Sequence, residues 1–375
     1  MGRAAHAADG RGDRRARPLD RARARRVRTT AGPGRGPKGV PKAIAVSPIL
    51  SARVRARDLE RIQQVAPGSQ IVNLSVEGLA DGPVDDVEVL LRGWLVAEAF
   101  DRLLARAPHL TWVHSATSGV ERALTPAALA RDILVTNARG VFSRPIAEHV
   151  LLMILAISRH LPDLLELQRE RTWQPLEGKE LRELTIGIVG YGSLGRSVAS
   201  LASAFGARIV AMRRRPDAGA PASEDDGDGF PFEPRLDRVV GPDRLSDLLA
   251  ESDIIVLAAP LTPETEGMID EAAIGAMKRD AWLINVARGR LVDDTALIRA
   301  LRENRIGGAA LDTFRDEPLP QGSAYWELPN VILTPHTAWS SARVLDRSID
   351  LFCDNLVRFS RGEDLRNVVD PTAGY

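Results

Sequence analysis

Apolar and polar positions alternate along this chain in two different rhythms. Short apolar runs come first in "PKAIAVSPIL" and then in "VEVLLRG", "LTWVHSA", "ILVTNARG", "LTIGIVG", "ARIVAM", "DIIVLAA", "AWLINVA", "GGAALDTF" and "NVILTPH". Each is short, rich in β-branched residues and bounded by turn formers, so each is predicted as a buried strand. Between them lie segments with helical spacing, among them "AEAFDRLLARA", "PIAEHVLLMILAISRHLPDLLELQRERTW" and "GRSVASLASAFG". Strand–helix alternation predicts parallel sheets covered on both faces, an α/β fold. No repeat of fixed period is present.

Two breaks divide the pattern. "RGVFSRPIAEH" (139–149) opens the longest helical stretch, with Pro145 suited to its first turn. The acidic "PDAGAPASEDDGDGFPFEP" (216–234) reads as a surface loop. The run from 144 to about 337 then reads as one doubly wound domain. "SARVLDRSIDLFCDNLVRFSRGEDL" supplies one more helix and no strand, and could return to cover the first domain.

Composition narrows the picture only modestly. With 375 residues, 44% hydrophobic, and 50 basic against 50 acidic side chains, the chain has room for two globular domains. Cys353 is the sole cysteine, which excludes an internal disulfide and fits a reducing cytoplasm. The most apolar window, "VLLMILAI" (150–157), is too short to span a bilayer, and no secretory signal is visible. Residues 1–42 differ, with many arginines against only Asp9, Asp13 and Asp20. Disorder is expected there. A nucleic-acid arm would want interleaved aromatics, and a transit peptide would want serine, which first occurs at Ser47. An extension without function is the third reading.

Candidate chemistry begins at "LTIGIVGYGSLGRSVASLASAFG", where Gly190, Gly192 and Gly195 stand in G-x-G-x-x-G spacing between strand and helix. Gly190 would permit the tight turn, Gly192 would let a pyrophosphate approach the backbone, and Gly195 would let the helix pack close. First-turn N–H groups of that helix would bind the phosphates. The next strand runs into Arg213, Arg214 and Arg215, where an NAD site usually carries a carboxylate for the ribose. Guanidinium groups instead suit a 2′-phosphate, so NADP is expected over NAD. Two charge-assisted contacts of roughly 1.5–3 kcal/mol each would give about 10²–10⁴-fold preference. Against this, the arginines could lie along the acidic loop at Glu224, Asp225, Asp226 and Asp228, or Asp217 could swing back to the ribose.

Three later strands end on reactive residues: Arg288 after "AWLINVA", Asp312 and Glu317 after "GGAAL", and His336 after "NVILTP". In open α/β sheets, ligands sit beyond such carboxyl ends. A fixed guanidinium at Arg288 suits a substrate carboxylate and a polarised carbonyl. His336 can give or take the hydroxyl proton, and Glu317 beside it would orient the ring and raise its pKa.

With these residues in view, the sequence resembles the D-isomer-specific 2-hydroxyacid dehydrogenase family from about residue 43 onward. "GIVGYGSLGRSVA", "PLTPETEGMI", "MKRDAWLINVARGRLVD", "GAALDTFRDEPLP" and "VILTPHTAW" carry the resemblance. It implies a catalytic triad of Arg288, Glu317 and His336. It also implies that Asp312 holds the nicotinamide carboxamide, that Tyr191, Ser193 and Leu194 line the pyrophosphate turn, and that Pro260 and Thr265 flank the cofactor. "LLRGW" and "TSGVE" match loops whose backbone N–H groups hold the substrate carboxylate, which implicates Arg92, Gly93, Ser118, Gly119 and Val120.

The implied architecture is two Rossmann-like or flavodoxin-like parallel-sheet domains. Residues 144–337 would form the cofactor domain, inserted into a discontinuous substrate domain of 43–143 and 338–375. The "AEHVLLMILAISRH" helix resembles the family's dimer contact, so a homodimer is implied. The expected activity is hydride transfer between NAD(P) and a small 2-oxo or D-2-hydroxy acid of the glyoxylate or hydroxypyruvate kind. No metal, membrane or nucleic-acid partner is expected. A cofactor-sensing corepressor is the rival of a different class, and the intact triad weighs against it. Formate dehydrogenases share the fold but usually place an amide where Glu317 stands.

Overall fold

Both predicted rhythms resolve into two wholly parallel sheets in the computed structural model, which describes residues 39–49, 54–120, 122–216 and 234–372. The first sheet contains β1 (Ala43–Val46), β2 (Gln70–Asn73), β3 (Val87–Arg92), β4 (Trp112–Ser115) and β5 (Leu134–Asn137), in the spatial order β2-β1-β3-β4-β5. This is the flavodoxin-like arrangement. Helices α1 (Ala56–Val65), α2 (Ala97–Arg106) and α3 (Pro126–Ala130) connect its strands.

After α4 (Ser143–Ser158) and α5 (Leu161–Arg169), the chain builds the second sheet. Its strands are β6 (Thr185–Val189), β7 (Arg208–Met212), β8 (Arg238–Val240), β9 (Ile254–Leu257), β10 (Trp282–Asn285), β11 (Gly308–Leu311) and β12 (Val331–Leu333). Their order is β12-β11-β10-β9-β6-β7-β8, with α6 (Ser193–Ala204), α7 (Leu245–Glu251), α8 (Glu271–Ala276) and α9 (Asp294–Arg302) between them. Winding reverses between β6 and β9, so the crevice that binds ligands in such sheets opens beside the glycine turn.

The apolar runs are continuous because helices cover both faces. Every residue of β6 and β9 is buried. One core, around Leu257, Leu283 and Leu297, fills one side of the second sheet. Another, around Ile154, Ile188 and Val198, fills the opposite side and binds α4 to α6. The last helix, α10 (Val344–Arg361), lies on the first sheet and sets Phe352 and Phe359 against Trp112 at ring-centroid distances of 5.5 and 5.2 Å.

Three departures from the sequence expectations have local causes. The long helical stretch is two helices, because the chain turns at His160 (φ 54°) and Pro162 starts α5. A proline inside a continuous helix would lose its N–H and press on the carbonyl of Ser158. That carbonyl instead accepts the Lys179 N–H at 2.9 Å. Strands β2 and β8 were not anticipated. Both are edge strands with only two adjacent apolar residues each, too few to make an apolar run. The basic segment up to residue 38 and positions 217–233 of the acidic loop lie outside the described residues.

Candidate active site

The glycine turn joins β6 to α6, and its backbone answers each role read from the spacing. Gly190 has φ 105°, and a Cβ there would press on the backbone of Ala258 and Ala259. A Cβ at Gly195 would collide with the Gly190 carbonyl, so this glycine sets how closely α6 approaches the turn. Gly192 is different: a Cβ there meets nothing within 4 Å. It is also the N-cap of α6, and no side chain caps that end. Open space before uncapped N–H groups fits a dinucleotide pyrophosphate. Tyr191 and Leu194 are partly buried against the α4–α6 core, and the Ser193 carbonyl accepts the Ser197 hydroxyl.

The arginine run lies immediately alongside. Gly190 donates its N–H to the Met212 carbonyl at 3.0 Å, and Arg213 is the next residue, half-buried, with Arg214 and Arg215 exposed. Across the crevice, the loop after β9 is shaped by Thr265, whose hydroxyl donates to the Pro260 carbonyl at 2.7 Å and accepts the Thr262 N–H at 2.8 Å. The hydroxyl therefore serves the loop's own turn.

Arg288, Glu317 and His336 follow β10, β11 and β12, three neighbours in the sheet, and the structure brings them together. His336 Nδ1 and a Glu317 carboxylate oxygen are 2.7 Å apart, and the other oxygen accepts the Phe314 N–H at 2.9 Å. Burial pushes the Glu317 carboxyl up, but the bonds from His336 and Phe314 and the nearby charge of Arg288 outweigh it, leaving the group more acidic than usual. With Nδ1 engaged, His336 Nε2 has no protein partner among the described residues. The ring is 43% exposed, open to a ligand. His336 also sits at φ 48°, a left-handed conformation that a non-glycine residue holds only when its surroundings enforce it.

Two unanticipated residues complete this arrangement. Buried Asn285 donates to the Arg288 carbonyl at 2.9 Å and accepts the Ala287 N–H at 3.1 Å, bracing the Arg288 turn. Gly289 packs so tightly that a Cβ would run into the backbone of Phe314 and Arg315, which seats Arg288 against the Glu317 loop. Asn285 looks in sequence like the end of an apolar strand. Gly289, inside "AWLINVARGRLVD", has no spacing signal that marks it.

Asp312 is buried, and its oxygens accept the Thr334 hydroxyl (2.6 Å) and the Thr337 and Ala338 N–H groups (2.9 and 3.0 Å). The side chain implied for the carboxamide is thus first an anchor for the segment carrying His336.

The substrate loops divide. N–H groups of Gly119 and Val120 have no protein acceptor among the described residues, while the Ser118 hydroxyl donates to Ala138. Gly93, by contrast, gives its N–H to buried Ser47 at 2.7 Å. Arg92 is buried, donates to the Leu95 carbonyl at 2.8 Å and lies over the Phe100 ring. Burial lowers its pKa to about 10, with Arg122 adding to the effect. Arg92 and Gly93 therefore stiffen their loop: the Gly93 N–H is taken by Ser47, while the Arg92 Nε–H is buried without a partner among the described residues. No cluster of metal-ligating side chains occurs among the described residues, and no helix among them is long and apolar enough to cross a membrane.

A parallel sheet with a glycine-turn cofactor crevice, and a guanidinium beside a carboxylate–imidazole pair, defines a nicotinamide-dependent oxidoreductase. Comparison with known proteins narrows the class. Residues 151–338 match the family described as D-isomer specific 2-hydroxyacid dehydrogenase, NAD binding domain. A glyoxylate reductase of Korarchaeum cryptofilum is 35% identical over 295 residues, covering 76% of this chain and 82% of that one. A glycerate dehydrogenase of Methylorubrum extorquens is 34% identical over 71% of this chain and 81% of its own. The crystal structure of a D-isomer specific 2-hydroxyacid dehydrogenase from Xanthobacter autotrophicus Py2, in complex with NADPH and MES, superposes with a TM-score of 0.74 at 30% identity, covering 89% of this chain and 99% of that one. The chain belongs to the D-isomer specific 2-hydroxyacid dehydrogenase family and is an NAD(P)-dependent enzyme of 2-hydroxy and 2-oxo acids.

Proposed function

We propose that the protein reduces a small 2-oxo acid of the glyoxylate or hydroxypyruvate kind, with NADPH preferred over NADH, as a cytoplasmic homodimer. Residues 144–337 form the cofactor domain in this reading, and 43–143 with 338–375 form the substrate domain. The observation that carries it is the 2.7 Å contact between Glu317 and His336 within the field of Arg288.

Bound nicotinamide supplies the hydride. The chain does the rest. Gly119 and Val120 offer backbone N–H groups to the substrate carboxylate. Arg288 stabilises negative charge as it grows on the carbonyl oxygen. His336 delivers a proton to that oxygen from Nε2, while Glu317 holds Nδ1–H and supports the charged ring. Arg213 and Arg214, at the end of β7 beside the glycine turn, receive the adenosine 2′-phosphate. The NADPH in the Xanthobacter structure supports the same preference. Leu152, Leu161, Leu164 and Leu165 on α4 and α5, with Trp173 beyond them at 98% exposure, support a dimer contact on that face.

The test is a panel of 2-oxo acids assayed with NADH and NADPH in parallel, on the parent and on Arg288→Ala and His336→Ala. Either substitution should lower turnover by about 10²–10⁴-fold with cofactor binding intact. Undiminished turnover in either variant rejects the assignment, and NADH used as well as NADPH rejects the role of the arginines.

A further inference from the structure

We infer that His149, on α4, is a positioning residue for the His336 turn, acting through Thr334 and Asp312. The inference rests on the reading of His336 as the acid–base group. His149 Nε2 lies 3.3 Å from the Thr334 hydroxyl oxygen, and that oxygen lies 2.6 Å from Asp312. A threonine hydroxyl has one hydrogen, and an ionised carboxylate can only accept. The hydroxyl therefore donates to Asp312 and accepts from His149, which requires the proton of His149 to sit on Nε2. Burial lowers the pKa of this half-buried imidazole, against an opposing pull from Asp312, and so favours the neutral ring.

The next links reach the catalytic turn. Asp312 accepts the N–H groups of Thr337 and Ala338, and the His336 N–H donates to the Thr334 carbonyl at 3.0 Å. The turn is thus gripped on both sides of a residue held at φ 48°. His149 fixes the rotor of Thr334, and Thr334 and Asp312 together fix the turn. Without the His149 donor the hydroxyl is free to leave Asp312 and the turn loosens. Misplacement of a reacting group by about 1 Å can cost on the order of 100-fold in rate. The loss falls on kcat, because the group displaced acts in the proton-transfer step.

Steady-state kinetics on His149→Leu, His149→Gln, Thr334→Val and the Leu/Val double variant tests this, with glyoxylate as substrate and thermal melts alongside. Glutamine places an amide N–H about where Nε2 stands. His149→Leu should lose roughly 10–100-fold in kcat with KM for cofactor little changed, and His149→Gln should recover most of it. In the Thr334→Val background, His149→Leu should cost nothing further, the mark of two residues acting in series. Full kcat in His149→Leu, no rescue by glutamine, or losses that add would each overturn the inference. Should His149→Leu not fold, Thr334→Val breaks the same chain, and unchanged kcat in it overturns the inference equally. His336→Asn is the control. If it is inactive while His149→Leu is fully active, only the role of His149 falls; if it keeps its turnover, the acid–base reading falls first.

Discussion

Gly190 and Gly192 stand two positions apart and meet opposite demands. At Gly190 the backbone is left-handed and a side chain would press on Ala258 and Ala259. Gly190→Ala should therefore cost about 1–3 kcal/mol of stability, read as a lowered melting temperature. A side chain at Gly192 meets only open space, so Gly192→Ala should melt like the parent yet bind NADPH more weakly in calorimetry. Parental affinity in Gly192→Ala would remove the pyrophosphate from this turn. Both glycines were legible in the sequence because a backbone requirement leaves its mark in spacing. Asn285 and Ser47 were not legible. The first braces a turn three residues on, the second takes the N–H of Gly93 from 46 residues away, and neither has a periodic signature. For the same reason sequence assigned Gly93 to the substrate, when its donor is spent within the protein.

Ten of the strands and the glycine-turn helix could be read from their apolar runs. Burial on both faces leaves an uninterrupted signal in the central strands, and the edge strand β12 keeps three apolar residues in a row, Val331, Ile332 and Leu333. The edge strands β2 and β8 could not, because each offers only two adjacent apolar residues. The α4–α5 junction shows the opposite failure. Apolar spacing continued past His160, and only Pro162 recorded the break. One reason for that spacing is that part of α5 and its neighbourhood is apolar without being buried: Leu161 and Leu165 are 43% and 44% exposed. If this face joins two copies, Leu161→Glu with Leu165→Glu should yield monomers in sedimentation, because charges in an apolar contact lose their water without gaining partners. An unchanged parental dimer would move the interface elsewhere.

At the scale of the whole molecule, acid should weaken the fold through the first sheet. His114 is fully buried there, and burial lowers its pKa to about 3. The Thr136 hydroxyl accepts the Trp112 indole N–H at 2.9 Å, so its own hydrogen goes to His114 Nδ1 at 2.8 Å. That nitrogen is an acceptor with no room for a proton. Unfolded histidine titrates near 6.5, so between about pH 6.5 and 3 the unfolded chain binds a proton that the folded chain refuses. Stability is complete above that window and falls with acid through it, by up to ~1.4 kcal/mol per pH unit. An asparagine oxygen can accept the same hydroxyl. Urea melts at pH 7 and pH 5 should therefore show a smaller drop for His114→Asn than for the parent, by about 2 kcal/mol. Equal drops would clear His114 of the effect.

Because α10 covers residues made near the beginning of the described chain, order of synthesis matters. Ile44, Val46, Leu91 and Trp112 leave the ribosome long before Phe352, Leu356 and Phe359, with the entire second sheet translated in the interval. Through that wait only α1 packs on that side of the first sheet, and the part meant for α10 stays an open oily surface, the kind on which nascent chains stick to one another. A message cut short anywhere before α10 would release a product unable to hide it, and protein quality control would have a ready handle for telling truncated copies from finished ones.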